Sequence, residues 1–314
     1  MELIMAEINL KEVNEAANEP RAAILAAEDS YHEKVRLVAG RITGDENIKI
    51  VLLAGPSGSG KTTTANLVAD AIRAEGEGAM VVSLDDFYRS QNDPKYPRLE
   101  NGELDYECPD SLNLELLCEV LKKIAGGESF RIPKYDFKRG ETVKVTTYPP
   151  IGHGCVIIEG IHALNPRISD ILPKDKILKL FVSVSTNINE NGKRIISGRK
   201  IRFIRRLVRD SIYRGAGAER TLSMWRGVLA AEDIYLYPYK NTADIAFDTF
   251  HRFELGAMKH FAKGLIPKSL AERDAYAGIV AAALEKIEEL DYNLIPENSL
   301  IREFIPGGIY EALY

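Results

Sequence analysis

Short apolar runs, several of them rich in β-branched residues, recur along the chain and are separated by longer amphipathic segments. Such runs are typical of strands buried in a sheet, whereas apolar positions at i, i+3, i+4 and i+7 are typical of a helix. The segment after the first run has this helical spacing in Ala65, Val68, Ala69 and Ile72. The pattern predicts an α/β fold. The predicted strands are residues 48–54, 79–84, 155–160, 177–184 and 244–248.

The stretch between the first strand and this helix reads Gly-Pro-Ser-Gly-Ser-Gly-Lys-Thr and matches Gly-x-x-x-x-Gly-Lys-[Ser/Thr] at every position. Its glycines allow a tight turn that brings backbone N–H groups against phosphate oxygens, at the N-terminus of a helix. Lys61 supplies a cation for the β- and γ-phosphates, and the Thr62 hydroxyl can ligate Mg²⁺. The chain is therefore predicted to bind a nucleoside triphosphate. The predicted nucleotide-binding residues are Gly55, Pro56, Ser57, Gly58, Ser59, Gly60, Lys61, Thr62 and Thr63.

Carboxylates follow two of the predicted strands. Asp85 and Asp86 come directly after residues 79–84, and Glu159 stands at the end of a strongly apolar run. Open α/β sheets place their active sites at the carboxyl ends of the strands. The phosphate-binding motif of residues 55–62 is called a P-loop. An acid that follows an apolar strand beside a P-loop can hold Mg²⁺ directly or through water. The alternative is that these acids only cap a helix or form a solvated turn.

A dense run of basic residues lies between residues 193 and 214. Within it, Arg202, Arg205, Arg206 and Arg209 share roughly one helical face. Taken alone, such a run is usually a solvated helix face or a nucleic-acid patch. Beside a P-loop, an arginine helix that closes over phosphates is the stronger interpretation, because Arg makes bidentate phosphate contacts.

The other segments are predicted from capping residues and composition. Residues 90–111 are rich in Pro, Asn, Asp and Glu and are expected to form a surface loop with substrate contacts. Short β segments at 130–133 and 143–146 predict an insertion over the active edge of the sheet. Further expectations are a peripheral arm at 1–19, a helix from Pro20 to about Gly40, a helix capped by Ser111, C-terminal helices at 253–264 and 268–290, and a docking tail at 294–314.

Composition narrows the class of protein. The chain has 314 residues, a net charge of −5 and 45% hydrophobic residues, which suits one large α/β domain with appendages, or two small domains. The negative charge argues against non-specific binding to nucleic acid or an anionic membrane. Cys108, Cys118 and Cys155 are too scattered for a disulfide framework or a zinc site. No apolar run approaches a membrane span, and no signal peptide is recognisable, so we expect a cytoplasmic protein.

These motifs together resemble the uridine kinase/phosphoribulokinase family of P-loop kinases, and most closely its bacterial nucleoside-kinase branch. The resemblance covers about residues 48–265 and a short stretch near the C-terminus. It implies a P-loop NTPase fold with a doubly wound parallel sheet of order 2-3-1-4-5, a helical lid at about 193–216 and a small β insertion. It divides the chain into an N-terminal helical arm (1–45), a kinase core (46–265) and a C-terminal helix with a docking tail (266–314). The matching stretches are Gly55–Thr62, Ser83–Arg89, Pro133–Phe137, Ile158–Pro166, Arg205–Asp210 and Ser299–Ile305.

The resemblance also implies a reaction, the transfer of the γ-phosphoryl of ATP or GTP, with Mg²⁺, to a primary hydroxyl such as the 5′-OH of a nucleoside. Asp85 would accept the hydroxyl proton, and Thr62, Asp85 and Glu159 would form the metal environment. The charge on the transferred group would be stabilised by Lys61, Arg209 and Arg214. The residues assigned to the acceptor are Asp85, Tyr88, Glu107, Tyr135, Phe137 and Arg206.

Three positions depart from the uridine kinase pattern. Gly140 stands where that pattern has a pyrimidine-reading His, Ala216 stands where it has a second Arg after the lid, and Glu107-Cys108 replaces an Asp-His pair. The aromatic rings of Tyr135 and Phe137 remain, and stacking on rings tolerates many bases. We therefore expect weak discrimination among bases, or an acceptor that is not a pyrimidine nucleoside.

Other functions compete with a nucleoside kinase. A sugar phosphate or a pantothenate-like alcohol are alternative acceptors, and a nucleotide-sensing pseudokinase would keep the P-loop without turnover. A GTPase switch is disfavoured, because the sequence has neither Asp-x-x-Gly after a strand nor Asn-Lys-x-Asp. The expected partners are ATP and a small hydroxyl acceptor, with no nucleic acid and no membrane, while a homo-oligomer stays open.

Overall fold

A computed structural model of the protein describes residues 6–313, so the first five positions of the predicted N-terminal arm lie outside the described residues. The strands are β1 (Glu7–Asn9), β2 (Ile50–Ala54), β3 (Gly78–Ser83), β4 (Phe130–Asp136), β5 (Glu141–Tyr148), β6 (Gly154–Glu159), β7 (Ile177–Ser183), β8 (Asn187–Glu190), β9 (Lys193–Ile196) and β10 (Ile245–Asp248). The α-helices are α1 (Leu10–Asn18), α2 (Pro20–Thr43), α3 (Lys61–Ala74), α4 (Leu114–Ala125), α5 (Pro166–Ser169), α6 (Gly198–Arg214), α7 (Ala218–Tyr235), α8 (Glu254–Ala262), α9 (Lys268–Arg273) and α10 (Ala275–Lys286).

The centre of the fold is a five-stranded sheet in the order β10-β7-β2-β6-β3, in which every neighbouring pair is parallel. Numbered along the chain, these strands have the order 2-3-1-4-5, so the predicted doubly wound parallel sheet is confirmed. In the register, Glu159 pairs with Leu53 on one side and with Ser83 on the other. The ends of β2, β3 and β6 therefore meet at one edge, where the P-loop, Asp85 and Glu159 follow.

Both faces of this sheet are covered. Along β2, Val51 and Leu53 belong to one hydrophobic core, and Ile50, Leu52 and Ala54 belong to a second core on the other face. Successive side chains of a strand point to opposite faces, so a strand buried on both sides is apolar throughout. The first core includes residues of α2, α3, α6, α8 and α10, and the second includes residues of α4.

Two small sheets accompany the central one. The hairpin β4–β5 is the predicted insertion, but its strands reach Asp136 and Glu141, so the turn between them is shorter than the sequence suggested. The second small sheet has the order β1-β8-β9. Its strands and helix α7 were not predicted, because these segments have short or weakly periodic apolar patterns. Residues 10–18 form α1, whose Leu10, Val13 and Ala16 are buried.

Two predicted helix boundaries were wrong. Ser111 lies in a short 3₁₀ turn, and Asn113 is the residue whose side chain accepts from Leu116 N–H to cap α4. The helix predicted at 268–290 is two helices, because Asp274 has an extended backbone and caps α10 through the N–H groups of Tyr276 and Ala277. Asp side chains favour such caps over helix interiors. Among the described residues, none of the helices has the length and apolar character needed to cross a membrane.

A buried ion pair joins α6 to α8. The guanidinium of Arg205 donates to both carboxylate oxygens of Glu254, at 3.0 and 2.7 Å, and both side chains are fully buried. Glu254 also accepts a hydrogen bond from the backbone N–H of His251. Removal of one partner from such a pair leaves the other charge buried and uncompensated.

We expect Glu254→Gln to lower the free energy of unfolding by about 3–5 kcal/mol, the usual cost of breaking a buried pair. The matched control is Glu272→Gln, because Glu272 forms an ion pair with Lys268 in which the side chains are 67% and 92% exposed. Exposed pairs contribute about 0–1 kcal/mol. Equal effects of the two variants in urea denaturation would contradict this account.

Candidate active site

The P-loop, residues 55–60, connects the end of β2 to the start of α3. Gly55 is required by close packing, because a Cβ there would lie 2.2 Å from the carbonyl oxygen of Val182. Gly60 has φ +85°, a conformation that side chains disfavour, and it begins the helix without a side-chain cap. Lys61 Nζ donates to the carbonyl of Pro56 at 3.2 Å, so the cation lies within the loop. The loop and the helix N-terminus form the expected anion-binding site.

Helix α6 supports the P-loop from its buried side. Arg202 donates to the carbonyl of Ser57 at 2.7 Å, and Arg205 donates to the carbonyl of Gly58 at 3.1 Å. Arg202 is paired with Glu232 of α7 through two hydrogen bonds of 2.8 Å. Both arginines, which the sequence placed on one face of a lid helix, are fully buried structural groups.

The next arginines of α6 surround a single carboxylate. Asp210, which is 3% exposed, accepts from Arg206 and Arg214 at 3.2 Å each and lies 3.5 Å from Arg209 Nε. Arg206 also donates to the hydroxyl of the P-loop residue Ser57 at 3.0 Å. Burial lowers the pKa of Arg206 and of Arg214, and the positive charge of the neighbouring Arg209 also lowers both. The structure thus brings Arg206, Arg209 and Arg214 together beside the P-loop, where they carry an excess of positive charge. Movement of α6 as a lid stays a prediction.

The carboxylates predicted for metal binding, Glu159 and Asp85, lie within electrostatic reach of Lys61. Glu159 is buried, and its Oε1 lies 3.4 Å from the hydroxyl of Thr62. Burial raises the pKa of Glu159 to about 7, while the charge of Lys61 opposes this shift. Loss of water around the carboxylate likewise raises the pKa of Asp85, and the positive charge of Lys61 again opposes this shift. Lys61 therefore acts electrostatically on both carboxylates.

These groups suit Mg²⁺ better than a transition metal. Among the described residues, no cluster of three or more His, Cys, Asp or Glu side chains could enclose a metal ion. Mg²⁺ needs no such cluster, because it keeps several waters and binds through one or two carboxylates and the phosphates of its nucleotide. The hydroxyl of Thr62 and the carboxylates of Glu159 and Asp85 are hard oxygen ligands of this kind.

The two acids after β3 have different surroundings. The carboxylate of Asp86 lies 3.1 Å from Lys134 Nζ and 3.3 Å from the backbone N–H of Tyr135, so it ties β4 to the end of β3. Asp85 is open to solvent. Asp86 therefore fixes the β4–β5 hairpin to the end of β3, and Asp85 is the acid that stays available for chemistry.

The rings of Tyr88, Tyr106, Tyr135 and Phe137 cluster near Asp85, and we call this cluster the acceptor pocket after the role that the sequence predicts for it. The ring centroids of Tyr88, Tyr135 and Phe137 lie 5.0–5.6 Å from one another. The hydroxyl of Tyr88 donates to the carbonyl of Tyr106 at 2.8 Å. Glu107 follows on the same loop, where burial raises the pKa of its carboxyl and Arg206 opposes the shift. The structure thus brings Tyr88, Tyr135 and Phe137 together with Glu107 on a neighbouring loop, while their contact with an acceptor stays a prediction.

A further acid, Glu303, lies at the P-loop, and no local pattern in the sequence predicts this contact. Its carboxylate accepts from the N–H of Thr63 at 3.3 Å and from the Thr63 hydroxyl at 3.0 Å, and it lies 3.9 Å from Arg209 Nη1. Leu300, from the same segment, packs so closely on Gly60 that a Cβ there would lie 2.6 Å from Leu300 Cδ1. The segment near the C-terminus therefore completes the first turn of α3, at one of the N–H groups that a nucleotide phosphate would use.

A doubly wound parallel sheet, a P-loop after its first strand and carboxylates at the ends of neighbouring strands define a P-loop nucleotide-binding protein. A sequence model of the phosphoribulokinase/uridine kinase family matches residues 50–255, and the chain belongs to this family. Its homologues indicate a phosphotransferase that acts on an alcohol acceptor.

Individual relatives are distant. The chain is 29% identical over 204 residues to the uridine kinase of Borrelia duttonii, a match that covers 63% of this chain and 85% of that protein. It is 30% identical over 199 residues to uridine kinase-like protein 5 of Arabidopsis thaliana, where the match covers 62% of this chain and only 38% of the relative. The solved structure of a possible uridine kinase from Bacillus stearothermophilus is 18% identical, with a TM-score of 0.45, and the match covers 70% of this chain and 100% of that one.

The different surroundings of the two acids after β3 lead to a prediction for catalysis. We expect Asp85→Asn to lower kcat by about 10²–10⁴-fold, the usual contribution of a general base. Asp86→Asn is the matched control, and it should change kcat little, because an amide oxygen can still accept from the Tyr135 N–H. Steady-state ADP release measures both, and the reverse ranking would overturn the assignment.

The position of Glu303 leads to a prediction for nucleotide binding. Its carboxylate accepts from an N–H of the first turn of α3 that a phosphate oxygen would also use, so Glu303→Gln should lower the KM for ATP. A charge at a helix N-terminus contributes about 0.3–1 kcal/mol, which corresponds to roughly two- to fivefold. Glu297→Gln, an exposed position that precedes this segment, is the control. A higher KM in Glu303→Gln would show instead that the carboxylate assists binding.

Proposed function

We propose that the protein transfers the γ-phosphoryl group of ATP to the 5′-hydroxyl of a nucleoside. The observation that supports this proposal is the exposed carboxylate of Asp85, which interacts electrostatically both with Lys61 of the P-loop and with Tyr88 of the acceptor pocket. Such a position suits a base that takes a proton from an acceptor hydroxyl while a phosphoryl group is held by the loop.

In the proposed reaction, the acceptor oxygen attacks the γ-phosphorus, the bond from that phosphorus to the β–γ bridging oxygen breaks, and ADP leaves. The hydroxyl proton passes to the carboxylate of Asp85. Lys61, Arg209 and Arg214 stabilise the negative charge on the phosphoryl oxygens as it shifts during the transfer. Mg²⁺, held by Thr62, Glu159 and Asp85, would neutralise further charge on the β- and γ-phosphates.

The character of the pocket supports a neutral, flat acceptor over a sugar phosphate. Its walls are aromatic, which suits a base that stacks. The carboxylates of Asp85 and Glu107 lie on this side of the site, and they would repel a phosphate or carboxylate on the acceptor. The nearby cation Lys134 is paired with Asp86 and Arg206 is paired with Asp210. The uridine kinases among the relatives agree with a nucleoside.

The test is ADP release across a panel of acceptors: uridine, cytidine, adenosine, guanosine, ribulose 5-phosphate, D-glycerate and pantothenate. We expect turnover with at least one nucleoside at a kcat/KM well above those for the charged acceptors. Lys61→Ala is the control for contaminating kinases and should abolish turnover, because no other cation lies within the loop. Turnover with ribulose 5-phosphate, D-glycerate or pantothenate alone would overturn the nucleoside proposal.

A further inference from the structure

The space beside Gly140, where the sequence lacks a base-reading side chain, is filled from another segment. Gly140 closes the β4–β5 turn with φ +71°, and a Cβ there would lie 2.5 Å from Cδ and 2.6 Å from Oε1 of Gln91. The backbone N–H of Gln91 donates to the carbonyl of Gly140 at 2.8 Å, which fixes the two segments together. The carboxamide of Gln91 therefore occupies the space that a side chain at position 140 would fill.

The carboxamide of Gln91 is held against the acceptor pocket. Its Nε2 donates to the hydroxyl of Tyr106 at 3.0 Å. A carboxamide offers two N–H donors and an oxygen with two lone pairs, so this bond uses one of its four positions. The remaining capacity includes both a donor and an acceptor. A side chain of this type can make paired hydrogen bonds to the edge of a base.

Two buried hydroxyls lie in the same region. Tyr96 and Tyr135 are each 4% exposed; neither phenol oxygen makes a well-formed hydrogen bond among the described residues, and that of Tyr135 lies beside the side chain of Gln91. The ring of Tyr96 lies 5.8 Å from that of Tyr106, which joins it to the pocket. Burial, and then the phenols of Tyr135 and Tyr106, raise the pKa of Tyr96 well above its usual value. Buried polar groups are normally paired, so these hydroxyls can take a hydrogen bond from a ligand or a water that enters the acceptor pocket.

We propose that Gln91, together with the hydroxyls of Tyr96 and Tyr135, determines the specificity of the acceptor pocket by pairing with the polar edge of a nucleobase. This inference rests on the proposed nucleoside kinase function. The base stacks on the outer face of this ring cluster, where Phe137 is 52% exposed, while the carboxamide and the hydroxyls bind its edge. Discrimination among bases therefore comes from the 90–111 loop, and it is stronger than stacking alone would give.

The test measures binding and turnover separately. Calorimetry with uridine, cytidine, adenosine and guanosine is performed on the full chain with a non-hydrolysable ATP analogue and Mg²⁺, and ADP release is measured with the same nucleosides. The variants are Gln91→Ala, Tyr96→Phe, which removes only a hydroxyl, and Asn92→Ala, an exposed neighbour that serves as the matched control.

We expect Gln91→Ala and Tyr96→Phe each to raise the Kd of the preferred nucleoside by roughly 5- to 100-fold, the usual effect of leaving a buried polar group unpaired. The KM for the nucleoside should rise more than kcat falls, and the ratio between the best and the worst base should shrink. The Kd of the ATP analogue should stay the same in all variants, whereas a general structural defect would change that Kd as well.

The outcomes separate this inference from the proposed function. Nucleoside binding that depends on Gln91 but leads to no turnover would support the inference and remove the proposed reaction. Nucleoside turnover with the same base preference in wild type, Gln91→Ala and Tyr96→Phe would keep the reaction and overturn the inference. Failure of all four nucleosides to bind the wild-type protein would also overturn the inference.

Discussion

The shape of the P-loop depends on two arginines that are buried beneath it. Arg202 and Arg205 donate to the carbonyl groups of Ser57 and Gly58. A buried guanidinium is costly without an anion, and each of these has one, Glu232 from α7 and Glu254 from α8. The geometry of the nucleotide site is therefore set by the packing of three helices, and the loop sequence alone does not suffice.

Charges of both signs meet at the site of a protein whose net charge is −5. Arg206, Arg209 and Arg214 gather around the carboxylate of Asp210 beside the P-loop. Lys61 and Arg214 act electrostatically on Asp85, and Arg206 acts on Glu107. The arginines and Lys61 favour a negatively charged nucleotide phosphate, because they outnumber the carboxylates that they contact.

The acceptor pocket is built by segments that have little regular structure of their own. The 90–111 loop contributes Gln91, Tyr96, Tyr106 and Glu107, and the β4–β5 hairpin contributes Tyr135 and Phe137. Asp86 connects the hairpin to the end of β3 through Lys134 and the Tyr135 backbone. Recognition of the acceptor can thus change with the loop while the catalytic acid keeps its place at the end of a strand.

Local pattern by itself determined the strands of the central sheet, the P-loop and the acids at the ends of β3 and β6, because apolar runs and the phosphate-binding turn are properties of adjacent residues. The parallel order of those strands followed from the family resemblance. Only the tertiary structure decided which arginines of α6 are buried, since Arg205 and Arg209 have equivalent places in the helical repeat. It also placed Glu303 on Thr63, 240 residues away along the chain, and filled the space at Gly140 with Gln91. Contacts between distant segments depend on how helices and loops pack, and no local periodicity encodes them.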